Sequence, residues 1–404
     1  MSTDKLHSGL EDIRKLVLYR QHLSPWNSNN LGSNKDLIEQ VIYDICHVQV
    51  DPVRYVERSH ILTLWSRIGP FKTDDLFDLV YKKRKLVEFY TSFASIVHSS
   101  DLPLIKFKIL NNRKREADLF LKENQKKIAD ILNIIRKRQS VLSRDMDEIE
   151  PSGTTITGWG NERTVNLFLE RLYYHGKIWI IGRDTGNQKI WGLPPFKISS
   201  YQNSAKNILK LTKKLIERSA ISLGTGTKRQ IMQYHALGNS DTKVRLFDEL
   251  VHSGKIKEIE IDGIKSKETW YIHRNTIEEL HNIRKLWKPR TAILSPFDNL
   301  LHDRKRTMTL FGFDSRLEMY LPKSKRKYGY YSMPVLHNGE LVGRIEPKMD
   351  RTSRILKVIS FHPEKKYEVT NGMMKGLVSE ISSLGKLLGA ENLELHQSFY
   401  AFES

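Results

Sequence analysis

Cysteine is nearly absent: Cys46 is the only one in a chain of 404 residues. An internal disulfide is therefore impossible, and a zinc site built from several thiolates is excluded. Long apolar runs are missing too, since none approaches the ~18 residues a membrane-spanning helix needs. The first residues carry no apolar stretch of the signal-peptide kind. A glycine-rich phosphate loop of Walker type is also lacking. Gly224-Thr225-Gly226-Thr227-Lys228 has the wrong spacing and reads as a loop leading into a helix. Acidic residues are the minority, 47 Asp and Glu against 66 Lys and Arg, for a formal net charge of +19.

These absences point to an intracellular, cytoplasmic protein without a membrane-spanning segment. The excess of cations suits a polyanion, with nucleic acid the leading candidate and an anionic membrane surface second. It is distributed among Lys82–Lys85, Arg113-Lys114-Arg115, Arg136-Lys137-Arg138, Arg304-Lys305-Arg306 and Lys323–Lys327. Any one of these runs also fits an ordinary solvated face. Cys46 falls on the apolar side of the Asp36–Val48 helical pattern and reads as packed.

Two segments of the chain match each other. Leu172, Gly176, Lys177 and Ile178 align with Leu250, Gly254, Lys255 and Ile256. Each copy is an amphipathic helix stopped by a glycine. An alternating strand follows, then a turn (Asp184-Thr185-Gly186-Asn187 or Asp262-Gly263) and a return strand through Trp191 or Trp270. Helix, glycine and hairpin make the second half of a winged helix. Helical periodicity precedes each copy, over Ile128–Ser140 and over Leu209–Ile216 with Arg229–His235. A looser third copy fits residues 36–98, with Leu76–Lys83 in the place of a recognition helix and a hairpin over Val87–Val97. Such repeats predict tandem modules.

From Pro289 the pattern changes. Leu317–Leu321, Tyr328–Leu336, Leu341–Pro347 and Ile355–Phe361 read as strands, and Met373–Leu388 as a helix. The expected fold is α+β: three tandem winged-helix modules (1–112, 113–200, 201–288) followed by a small antiparallel, β-rich, barrel-like domain (289–404) with a terminal helix. The tyrosines Tyr328, Tyr330 and Tyr331 are expected to alternate along a strand.

The segment with the most chemistry is Gln49-Val50-Asp51-Pro52. Pro52 biases Asp51 toward extended backbone, where residues two apart share a side. Gln49 and Asp51 then project together, and an amide beside a carboxylate can hold a water next to negative charge. Asp51 before a proline equally suits an N-cap or a turn. Arg54, Arg58, His60 and Arg67 are candidates for phosphate contact, or for bracing the first module. Trp65 suits a core position or a DNA wedge. Arg304 and Arg306 suit DNA contact or a network with Asp298 and Asp303.

Gln49-Val50-Asp51, Arg58-Ser59-His60 and Leu64-Trp65-Ser66-Arg67 resemble the YcaQ-like (AlkX/AlkZ) crosslink-repair DNA glycosylases. So does a C-terminal block. It comprises Leu294-Ser295-Pro296-Phe297-Asp298-Asn299-Leu300, Asp303–Arg306, Leu310–Phe313, Lys327–Tyr331 and Leu341–Ile345. The resemblance covers nearly the whole chain, and the C-terminal block is its more specific part. It implies three winged helices around a DNA channel, and removal of N7-alkylated purines with unhooking of interstrand crosslinks. It assigns catalysis to Gln49 and Asp51, in the Gln-x-Asp form that resembles the crosslink branch. The implied partner is double-stranded DNA carrying such lesions, bound by a monomer without metal or cofactor. Two departures stand out. Tyr90-Thr91-Ser92 occupies the place of a Trp-x-His common in the family, and His302 replaces a usual Trp. The rival function is a non-catalytic winged-helix regulator or architectural protein.

Overall fold

The structure, a computed structural model, describes residues 6–25, 33–104, 119–146, 154–157, 160–195, 205–238, 240–265, 267–397 and 399. The expected boundaries at 112/113 and 200/201, and the run Arg113-Lys114-Arg115, lie outside the described residues. The chain divides into two compact units: residues 1–99 with 213–404, and residues 100–212.

In the larger unit, the helix Asn34–Ile45 is capped by the Ser33 side chain and buries Ile38, Val41, Ile42 and Ile45. It ends earlier than the sequence suggests. Cys46 takes φ +70, leaves the helix and is buried. That sharp reversal feeds the short strand His47–Gln49. The helix Ser59–Ile68 follows, with nearly every residue buried, and stops at Gly69 with φ +75. Where one recognition helix is expected, five α-helical residues (Thr73–Phe77) pass into a π-helical turn (Asp78–Lys82). The hairpin Leu86–Tyr90/Ala94–His98 then forms, and His47–Gln49 joins it antiparallel to complete three strands.

The same order recurs. After the helix Ala205–Leu223 come the strand Thr225–Thr227 and the helix Lys228–Tyr234, opened by a capping box between Thr227 and Gln230. The lookalike loop at Gly224 is thus largely a strand. The helix Asp241–His252 follows, and Gly254 with φ +69 turns the chain into the hairpin Ile256–Asp262/Trp270–His273. This sheet gains a strand that the sequence did not advertise: Leu6–Gly9 lies parallel to Ile256–Asp262. The helix Leu10–Arg20 follows it and buries Ile13, Leu16, Val17 and Leu18.

The C-terminal sheet has five strands in the order Thr291–Ile293, Met333–His337, Glu340–Asp350, Ile355–Pro363, Asn392–Glu394. The first four are antiparallel. The last runs parallel to its neighbour, after the helix Asn371–Leu388 has crossed over. Asn338 and Gly339 both take positive φ in the tight hairpin turn. Register shifts at Val335/Leu336 and Glu346/Pro347 curl the sheet. Its inner face (Val335, Ile345, Val358) shares one core with Leu62, Leu64 and Trp65 of the first repeat and Leu377 and Ile381 of the terminal helix.

Two expected strands change here. Residues 317–321 form a 3₁₀ turn, Glu318–Tyr320, and the next strand starts only at Met333. The Glu318 carboxylate accepts the backbone N–H groups of Lys327 and Tyr328, and Pro322 interrupts the run. Tyr328, Tyr330 and Tyr331 therefore sit in a bend rather than alternating along a strand.

The smaller unit carries the helix Gln125–Arg138, the strand Ser140–Val141, the helix Thr164–Tyr174 and the hairpin Trp179–Arg183/Lys189–Gly192. The short strand again joins the hairpin to make a sheet of three, and a separate pair, Thr154–Thr157 with Gly160–Arg163, precedes the second helix. Tyr173 packs on Trp179 and Trp191 with ring centroids 5.2 and 5.7 Å away. Among the described residues, no helix in either unit is long and apolar enough to cross a membrane.

Candidate active site

Gln49 ends the strand His47–Gln49, paired to Ser95, and the Val50 N–H still reaches the Ala94 carbonyl at 2.8 Å. The backbone then leaves the sheet. Ser59, at the start of the next helix, closes this excursion: its hydroxyl donates to the Gln49 carbonyl and accepts the Asp51 N–H at 3.1 Å. Asp51 Oδ1 accepts the Val53 N–H at 2.9 Å, a side-chain turn across Pro52. The turn-forming alternative for Asp51 is thus realised with one oxygen. Among the described residues, the other oxygen takes no hydrogen bond, and neither does the Gln49 side-chain amide. Both groups are left open for water.

Asp51 is 8% exposed. Its pKa is raised, by burial above all, and the Val53 N–H opposes that only in part. Among the described residues no cation pairs with it. Glu57, six positions on, is the contrast. Burial would raise it as well, but Arg54, the Arg58 N–H and Arg351 outweigh burial and hold it below the usual carboxylate range. Two neighbouring carboxylates therefore differ in kind: one is braced by cations, and the other carries an unneutralised charge. The second kind can stabilise a developing positive charge.

Tyrosines rim the site. Tyr55 meets Tyr330 edge-on at 5.2 Å and stacks on Tyr331 at 5.9 Å. The Tyr331 hydroxyl is shifted upward, by burial first, with Asp51 among the charges that add to it. The bend before Met333 and the Gln49–Asp51 turn thus belong to one site, although far apart in the chain.

The other candidates divide by location. Arg54 is about half exposed and grips Glu57 at 2.8 Å, and Arg58 is half-buried at the start of the Ser59–Ile68 helix. Arg304 is exposed and pairs with Asp314 at 3.3 Å. These three remain at positions from which a phosphate could be met. His60 and Trp65 are buried, and the Trp65 indole donates to Ser383 Oγ at 3.0 Å, so Trp65 is a core residue and no wedge. Arg67 is fully enclosed, with two bonds of 2.7 and 2.9 Å to Asp298. Asp298 therefore does enter a structural network, but its partner is Arg67 rather than Arg304 or Arg306. Arg306 is buried too. It donates to the carbonyls of Leu223 and Thr225, and burial lowers its pKa to about 10. Trp65, Arg67 and Arg306 cannot reach DNA from these positions. Asp303 caps the helix Arg304–Phe311 and pairs with Arg229 at 3.0 Å.

The substituted family positions also find partners. Thr91 and Ser95 share a hydroxyl bond of 2.9 Å. His302 lies 5.6 Å from the Phe93 ring and 6.4 Å from His47, on the strand that carries Gln49. Sequence reading missed the function of Ser59, although it sits in the quoted Arg58-Ser59-His60. Its hydroxyl acts on residues eight and ten positions back, which no local period reveals.

A family model described as DNA glycosylase AlkZ-like matches residues 42–385. That span contains Gln49, Asp51, Ser59 and the tyrosine rim. Among solved structures, the Streptomyces sahachiroi DNA glycosylase AlkZ is similar over 97% of this chain and 100% of that one, with a TM-score of 0.61 and 15% identity. At that identity the likeness is one of fold.

Proposed function

The chain belongs to the AlkZ-like DNA glycosylase family and is a DNA glycosylase, and from that premise we propose that it hydrolyses the N-glycosidic bond of N7-alkylated purines, including those in interstrand crosslinks. The three repeats of helix, short strand, helix and hairpin are read as winged helices that bind the duplex. The observation that carries the catalytic reading is the Asp51 oxygen that, among the described residues, has no hydrogen bond and no cation to neutralise it, two positions from an equally uncommitted Gln49 amide.

An N7-alkylated guanine carries positive charge, so the base leaves with the bonding electron pair and needs no strong acid. Positive charge builds on the sugar, and the Asp51 carboxylate stabilises it. Gln49 holds a water against the anomeric carbon. The new C–O bond forms as the C–N bond breaks, and the water proton passes to Asp51. The products are the free base and an abasic site. The motif contains no lysine to form a Schiff base, so the strand stays intact. A crosslinked base cannot swing freely out of the helix. A site that acts on the lesion within the duplex suits that substrate.

Duplex DNA carrying N7-methylguanine or a nitrogen-mustard crosslink tests the reading, with base loss or unhooking scored after alkali. The intact protein releases the base. Asp51→Asn and Gln49→Ala lose on the order of 10²- to 10⁴-fold in single-turnover rate while binding holds. Parallel loss of binding and rate in both variants would remove them from catalysis.

A further inference from the structure

The three tyrosines at the rim are occupied. Tyr55 and Tyr331 stack on each other, and Tyr330 lies beneath the Arg326 guanidinium at 4.9 Å. Tyr320 is different. It is 68% exposed, and among the described residues its ring meets no other ring and no cation.

Its presentation is rigid. In the turn Glu318–Tyr320, Glu318 and Met319 are buried, so the third residue is turned outward. Glu318 Oε2 binds the N–H groups of Lys327 and Tyr328 at 2.9 and 2.6 Å. Arg326 Nε binds the Leu321 carbonyl at 2.9 Å. The turn is thereby fastened to the bend that stacks on Tyr55, four residues after Asp51. Lys323 and Lys325 are exposed on the same short loop, and among the described residues neither has a carboxylate partner. The Tyr320 hydroxyl is shifted upward, by its residual burial first and by the Asp51 carboxylate second, so the two lie within electrostatic reach.

An aromatic ring held in solvent by its own backbone loses little freedom when a flat group settles on it. Unpaired cations on the same loop match a phosphate chain. We propose that Tyr320 stacks on a nucleobase adjoining the one released at Asp51, while Lys323 and Lys325 hold the flanking phosphates. This rests on the glycosylase reading of Asp51. It adds a positioning element contributed by the turns ahead of the strand Met333–His337.

The test uses the full-length protein and a duplex with N7-methylguanine flanked by 2-aminopurine. Tyr320→Ala melts like the parent, loses roughly 10- to 100-fold in single-turnover rate, and no longer perturbs the 2-aminopurine fluorescence. Tyr320→Phe keeps both rate and fluorescence change. Lys323→Ala with Lys325→Ala weakens binding and lowers the slope of log affinity against log salt by about 1.8. Stacking is overturned if Tyr320→Ala matches the parent in rate and fluorescence. It is equally overturned if Tyr320→Phe is as impaired as Tyr320→Ala, since the hydroxyl would then be the acting group. Absence of base release by the parent protein itself would instead condemn the glycosylase substrate assignment, a result separable from either.

Discussion

At the level of single residues, Asp51 sets an acid limit on activity. Its carboxyl is shifted upward by burial, and the proposed step needs it ionised. The rate should fall with decreasing pH through a value above that of an ordinary aspartate, and the residual rate of Asp51→Asn should lack that limb. A group whose pKa is raised by folding favours the fold most when protonated, and that contribution is lost as pH rises through the folded-state value. Near neutrality the ionised Asp51 is therefore a cost to the fold, and Asp51→Asn should melt higher than the parent despite its loss of rate. Thermal melts across pH check the sign. Ser59→Ala removes the two hydroxyl bonds that close the turn and leaves the Val53 N–H to Asp51 bond. It should cost on the order of 10-fold in rate through misplacement of the pair, with affinity for duplex unchanged. Gln49 and Asp51 were readable because the spacing and Pro52 are local signals. Arg67 and Arg306 were not, since an arginine in a basic chain looks alike whether it meets solvent or a distant buried carbonyl.

At the level of elements, the helix Ser59–Ile68 shows what periodicity cannot tell. It is buried all round, and its one charge, Arg67, is neutralised by Asp298 from a segment more distant than any pattern spans. Removing one partner leaves an uncompensated buried charge. Asp298→Ala should cost roughly 3–5 kcal/mol, read from the denaturant midpoint. The helices, hairpins and stop glycines of the repeats were legible because each carries its own period and turn residue. The turn at Glu318–Tyr320 was not. Its apolar spacing mimics a strand, and only the capture of two backbone N–H groups by Glu318 diverts it.

At the level of the whole molecule, the excess of cations was plain from composition, and family membership as a DNA glycosylase agrees with it. The C-terminal sheet was legible in its middle strands. Its flanking strands, Thr291–Ile293 and Asn392–Glu394, are three residues each and form only beside a neighbour already in place. The strand Leu6–Gly9 is hidden for the same reason. The helix behind it is no ornament: Leu16 is fully buried in one core with Leu310, Phe311 and Leu336. Leu16→Ala should lower stability by about 2–5 kcal/mol, measured by chemical unfolding.

The common core of the first repeat and the final sheet has a consequence during synthesis. Leu62, Leu64 and Trp65 lie just beyond the Gln49–Asp51 turn, and Val335, Ile345 and Leu377, which share their core, are translated much later. A nascent polypeptide on the ribosome thus lacks the core beside the Gln49–Asp51 turn until those later segments have emerged. Products terminated before those segments would be left with the apolar surface of Leu62, Leu64 and Trp65 uncovered.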